Sequence, residues 1–98
     1  MRTLRVTFAA NEDLQSIQDR IARDNPSAAV RLIERFEARM ELICSAPDAG
    51  EPRDDVSPGI RQAIIGSYVI YYRAEQDVVS ILRVVHGARD MPGAFFEK

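Results

Sequence analysis

Two stretches decide the fold: GIRQAIIGSYVIYYR at residues 59–73 and its continuation ILRVVHGARD at 81–90. They spell three strands, 60–65, 68–74 and 78–86, joined by two tight turns. Gly66-Ser67 is a two-residue hairpin turn, because glycine supplies the positive φ such turns need. Glu75-Gln76-Asp77 marks the second turn. The first turn pairs Ile65 with Tyr68 and Arg61 with Tyr72, and paired residues share a face. A second turn centred on Gln76-Asp77 pairs Tyr72 with Ile81 and Ile70 with Arg83. One face then carries Arg61, Ala63, Ile65, Tyr68, Ile70, Tyr72, Ile81, Arg83 and Val85. The other carries Ile60, Ile64, Val69, Tyr71, Leu82 and Val84. The second face suits packing on helices. The first, apolar with arginines inside it, is expected to stay bare and to receive a partner.

Upstream, residues 2–8 alternate Leu4, Val6 and Phe8 with Thr3, Arg5 and Thr7, the pattern of a half-buried strand. A helix over 10–24 follows, with Ala10, Leu14, Ile17 and Ile21 on one stripe. Glu12 and Asp13 are placed in its first turn, at the positive end of the dipole. Asn25-Pro26 breaks the helix and starts another over 26–45: Asn25 caps it and Pro26 fits its first position. Ala29, Ile33, Phe36, Met40 and Ile43 share one face of it. The two helices fold back as a hairpin. Residues 46–59, with Pro47, Gly50, Pro52, Pro58 and Gly59, form a loop that either contacts a partner or simply packs on the sheet edge. Residues 87–98 form a short tail. The 98 residues are expected to make a single domain, 1–98, with no repeats.

The balance of charge narrows the function. Net charge is −2, and neither half of the chain is basic, so general nucleic-acid binding is not expected. Every basic residue except Lys98 is arginine, a fork that clamps carboxylate or phosphate and moves protons poorly. The single cysteine, Cys44, cannot form an internal disulfide, and no signal peptide or membrane span is visible. A cytoplasmic protein is expected. One cysteine and one histidine do not make an ordinary zinc site, and no phosphate-binding or dinucleotide motif occurs, so no metal and no cofactor are expected. His86 is the one candidate general acid or base. Its simpler role is a strand-end residue tied to the Gly87–Asp90 turn. Arg61 and Arg83 could grip phosphates, or carboxylates of a partner or of this chain, such as Asp54, Asp55 or Asp90.

Taken in order, these pieces resemble the ParE/RelE superfamily of toxins from bacterial type II toxin–antitoxin modules. The resemblance covers nearly the whole chain. It runs from the first strand into Ala9, Ala10 and Asp13-Leu14, through Asn25-Pro26-Ser27-Ala28-Ala29, Leu42 to Pro47, Gly50, Pro58-Gly59-Ile60-Arg61 and Tyr68–Arg73, to Ile81–Asp90. It implies an α+β fold of order β-α-α-β-β-β, with a helical hairpin on one face of a mainly antiparallel sheet. It implies a cognate, ParD-like antitoxin, expected to contact Arg61, Ile70, Tyr72, Ile81, Arg83 and Val85. RelE-like members cut messenger RNA on the ribosome, and ParE-like members poison DNA gyrase by binding. If the chain were a nuclease, Arg61, Arg83 and His86 would carry the chemistry. The lysines that RelE-like enzymes place before Arg61 are absent, however: Arg53, Asp54 and Asp55 stand there. The tail offers Phe95 and Phe96 in place of a catalytic tyrosine. These departures favour the ParE-like branch, with no catalytic residue, DNA gyrase as target, and Arg89, Phe95 and Phe96 as target contacts.

Overall fold

The computed structural model describes residues 2–87. Strand β1 (Thr3–Val6) leads into helix α1 (Phe8–Asp24) and helix α2 (Pro26–Ser45). A single 3-10 turn (Pro47–Ala49) and a two-residue strand β2 (Glu51–Pro52) follow, then β3 (Ile60–Ile65), β4 (Tyr68–Glu75) and β5 (Val78–His86). The sheet runs β1-β5-β4-β3-β2. All its pairs are antiparallel except β1 with β5, which is parallel because both helices intervene between those two strands. This is the α+β arrangement read from the sequence.

Local chemistry sets the boundaries. β1 stops at Val6 because Thr7 is already the cap of α1: its Oγ1 accepts from the Ala10 amide at 3.1 Å. The helix therefore begins at Phe8 rather than at residue 10, and no acidic residue lies in its first turn. That corrects the placement of Glu12 and Asp13, and it frees Asp13 for another task. Asn25 serves both helices. Its amide donates to Ile21 O and closes α1, while its Oδ1 accepts from the Ala28 amide at 3.1 Å and opens α2, with Pro26 in the first turn.

The strand register contains one break. Gln76-Asp77 does form the second turn, and Tyr72 does lie opposite Ile81, but Tyr71 lies opposite Arg83, so Leu82 is an extra residue in β5. Beyond this bulge Ile70 faces Val84, not Arg83. Thr7 fastens it, donating Oγ1 to Leu82 O at 3.0 Å and its amide to Ile81 O.

The two faces of the sheet are used the opposite way from the sequence-based expectation. Phe36, Met40, Ile43 and Ile17 of the helices bury Ile65, Tyr68, Ile70, Tyr72, Val79, Ile81 and Val84. Tyr72, Ile70 and Ile81 are each 0% exposed. The face expected to stay bare is thus sealed by the chain's own helices. Of the residues expected to meet the helices, only Val84 does, because the bulge turns it inward. Ile60, Val69 and Tyr71 form a smaller cluster on the far face, closed by Val56 and flanked by Leu82 and Val85. The segment 53–59 supplies that cover. The error was one of face and not of strand: both sides of β3–β4 are apolar, so hydrophobicity alone does not say which side the helices take. The tyrosine hydroxyl does. Tyr72 Oη donates to Pro47 O at 2.6 Å, an acceptor that lies just beyond the end of α2.

Burial pushes the Tyr72 phenol above the usual tyrosine value of about 10. The folded protein holds this proton at a pH where the unfolded chain releases it. The resulting stability is complete below about pH 10 and is lost as pH rises from there through the raised folded value. Denaturant melts of wild type should therefore steepen in their pH dependence above about pH 10, and Tyr72→Phe should flatten that slope while costing about 1 kcal/mol at neutral pH through loss of the bond to Pro47.

Candidate functional site

Arg61 lies on β3 beside β2. Its Nη1 donates to Gly50 O at 2.6 Å and to Asp48 O at 3.2 Å, and Nη2 stands 3.8 Å from the Asp48 carboxylate. It thereby ties the 3-10 turn to the sheet. Arg83 stands on β5 beyond the last residue paired with β1. Its Nε and Nη2 donate to the two carboxylate oxygens of Asp13 at 2.7 and 2.8 Å, a parallel fork. Asp13 Oδ2 also accepts from the Val84 amide at 2.9 Å. One carboxylate of α1 thus holds both the arginine and the backbone just after the bulge. Among the described residues, neither Asp54 nor Asp55 plays the part expected for these two arginines: Asp54 accepts from the Gly59 amide and Asp55 from Arg53. The expectation for Asp90 falls outside the described residues.

His86 ends β5 and is exposed. Its ring meets Tyr68 edge-on, centroids 5.1 Å apart, and Tyr68 Oη accepts from Arg20 Nη2 at 2.9 Å. Strand β4 separates Arg61 from both Arg83 and His86. Arg61 and Arg83 are tied to different acceptors, the first to Gly50 and the second to Asp13. Among the described residues no group of three or more His, Cys, Asp or Glu is placed to hold a metal.

The residues expected to receive an antitoxin divide. Ile70, Tyr72 and Ile81 are buried under α1 and α2, so they cannot meet a second protein while this fold persists. Val85 is half-buried on the far face. Arg61 and Arg83 keep partial exposure but spend their donors within the chain. Arg89, Phe95 and Phe96 lie outside the described residues.

Three features were missed in the sequence. Asp13 is the partner of Arg83, and only its misplacement in the first turn hid that. Arg53 organises the segment over the far face: Nε and Nη2 grip Asp55 at 2.9 Å each, and Nη1 donates to Gln62 Oε1 at 2.8 Å. The same grip holds the Asp55 carboxyl below the usual carboxylate range. The third is a cleft of about 520 Å³ between the end of α2 and β3, lined by Arg39, Leu42, Ile43, Glu51, Ala63 and Ile64.

The model of the ParE toxin of the type II toxin–antitoxin system parDE matches residues 4–91. The chain belongs to the ParE toxin family. It is a type II toxin of the wider ParE/RelE superfamily, and its relatives carry both names. Toxin ParE1 of Caulobacter vibrioides is 30% identical over 87 residues, covering 88% of this chain and 90% of its own. Toxin RelE2 of the same organism is 30% identical over 84 residues, covering 85% and 92%. In structure, this ParE-family toxin is similar to a chain of the chromosomal ParDE system from P. aeruginosa, with a TM-score of 0.78 over 90% of this chain and 98% of that one. At 21% identity that likeness shows the fold. No helix among the described residues of the toxin is long and apolar enough to cross a membrane.

Proposed function

We propose that this toxin acts in the cytoplasm by binding DNA gyrase, without cutting nucleic acid, and that a ParD-like antitoxin neutralises it. The Arg83–Asp13 fork carries this reading. A guanidinium that must stabilise a phosphorane needs free donors aimed at the substrate. The carboxylate of Asp13 instead cancels the charge of Arg83 and takes two of its donors in parallel. Arg61 spends donors on Gly50 and Asp48, on the other side of β4. Arginine cannot act as the base that a hydrolytic or transesterification step requires. His86 could, but among the described residues its neighbours are Tyr68 and, through that hydroxyl, Arg20, and none of them is a carboxylate that orients the ring. The ParE family match and the absence of lysines before Arg61 support the same branch. The antitoxin partner is supported by solved relatives that are themselves toxin–antitoxin pairs, among them RelBE2 from Mycobacterium tuberculosis, 30% identical with a TM-score of 0.55 over 87% of this chain. Target contact is assigned to Arg89, Phe95 and Phe96 from sequence.

His86→Ala tests the absence of acid–base chemistry. The side chain is exposed and the expected stability change is below about 1 kcal/mol. Growth arrest on induction without antitoxin should be retained by the variant. Loss of toxicity in a variant that melts like wild type would return the nuclease reading to first place.

A further inference from the structure

We propose that residues 53–59 are a hinged cover, which lifts from the far face of the sheet as one unit while the sheet and the helical hairpin stay folded. Lifting bares an apolar row that crosses β3, β4 and β5.

The loop holds its own shape. The Arg53 amide donates to Ile60 O at 2.7 Å and closes the base, one step beyond the last pair of β2 and β3, Pro52 with Arg61. Inside it, the Val56 and Ser57 amides donate to Arg53 O, the Ile60 amide to Ser57 O, and the Gly59 amide to Asp54 Oδ1 at 2.8 Å. The fork from Arg53 to Asp55 is internal as well. A loop with joined ends and local bonds carries those bonds with it when it moves. Gly59, at φ +83°, sits at the base in a backbone region that glycine enters freely, a hinge position.

The outer part is lightly attached. Among residues 54–59 only Val56 is buried, at 6% exposure, and Asp54, Asp55, Pro58 and Gly59 are exposed. Val56 packs with Ile60, Val69 and Tyr71. Pro58 O accepts from Arg73 Nη2 at 3.2 Å, an exposed bond. The bond from Arg53 Nη1 to Gln62 Oε1 lies at the base and survives the motion. The opposite face of the sheet is held by Ile17, Phe36, Met40 and Ile43 together. A unit with one buried apolar anchor opens at a lower free energy than the core it rests on. Beneath it, Val69 lies opposite both Ile64 and Val85, so these three form a row across the strands. Ile64 is already 55% exposed and Val85 is half-buried. Lifting the loop adds Ile60, Val69 and Tyr71 to them, and a contiguous apolar patch of that kind is an interaction surface. The cover keeps it from water until it opens.

The test uses full-length toxin with Cys44→Ser, which keeps a donor to Arg2 O, and Val69→Cys as the reporter. Reaction of the new thiol with a disulfide reagent is followed in rising urea. The free energy of opening should fall with urea at roughly a third of the slope of global unfolding, or less. In this background Val56→Ala should speed labelling on the order of tenfold, and Arg73→Gln about threefold. Asp54→Ala separates lifting from unravelling. Its bond to the Gly59 amide persists in a lifted loop, so the variant should lower the urea midpoint of global unfolding and change labelling by less than about twofold. If Val69→Cys prevents folding, Ile60→Cys takes its place with the same expectations. Three results overturn the proposal. Labelling can follow urea with the full slope of global unfolding, so that no separate opening exists. It can proceed at the rate of an exposed thiol, so that nothing is covered. Or Asp54→Ala can speed it as much as Val56→Ala does, so that the loop melts and does not lift.

Discussion

Asp13→Ala should destabilise the toxin by about 3 kcal/mol, read as a lower midpoint in urea at an unchanged slope. The carboxylate is mostly shielded and accepts three hydrogen bonds, two from Arg83 and one from the Val84 amide. Removing it leaves a partly buried guanidinium without its anion and a backbone donor without an acceptor, both next to the bulge that fixes the register of β5. Arg83 has further contacts that soften the loss, so the figure sits at the lower end of the range for breaking a shielded pair. The double variant Asp13→Ala/Arg83→Leu separates the causes. If the stranded charge dominates, the second change recovers stability, because an apolar side chain needs no anion. If the Val84 amide dominates, it does not.

Gly50→Ala should cost a similar amount, about 3 kcal/mol, for a different reason. Gly50 has an ordinary extended backbone, φ −74° and ψ 151°, so conformational freedom is not what it provides. It provides space. A Cβ there would stand 2.0 Å from Tyr72 Oη and 2.7 Å from Cζ. Tyr72 is fully buried and holds Pro47 O, so the ring cannot simply swing into solvent. Either the bond to Pro47 breaks or the segment carrying Asp48 and Gly50 moves off, and then Arg61 loses its acceptors as well. Measured in a Tyr72→Leu background, the further cost of Gly50→Ala should fall below about 1 kcal/mol, since the obstructing hydroxyl is gone. An undiminished cost would place the constraint in the backbone.

These two sites show what a single sequence does and does not reveal here. The strands β3, β4 and β5, both turns, the Asn25-Pro26 junction and the helical hairpin follow from local rules: period, turn chemistry and caps. The side of the sheet taken by the helices does not, because Ile60, Val69 and Tyr71 are as apolar as Ile65, Ile70 and Tyr72. The decision rests on contacts far apart in sequence, namely Tyr72 with Pro47 and Val56 with the far face. The bulge at Leu82 was equally hidden. It exists because Thr7 and Asp13, some seventy residues earlier, capture the backbone around it. That one inserted residue moved Arg83 from an expected partner surface to an internal clamp. Recognition of the superfamily survived these errors because it rests on the order of short motifs and not on which face is bare.

The site followed the same logic. Arg61 and Arg83 stand out in a sequence as arginines among apolar residues, and such residues invite a ligand. In the fold they are internal ties, one to the 3-10 turn and one to α1. Arg35 and Arg39, which hold no carboxylate among the described residues, sit on an ordinary amphipathic helix where nothing local distinguishes them from a solvated face. The fold brings the edge of β3 beside them, where Arg39 donates to the Ile64 carbonyl.

The central claim is that this toxin acts by binding gyrase and not by cleavage. Purified toxin should be added in parallel to a gyrase supercoiling reaction and to ribosomes programmed with messenger RNA. Inhibition of supercoiling, relieved by antitoxin, with the message left intact, is the expected result. Cleavage of the ribosome-bound message with supercoiling unaffected would contradict it, and would mean that Asp13 releases Arg83 when RNA arrives.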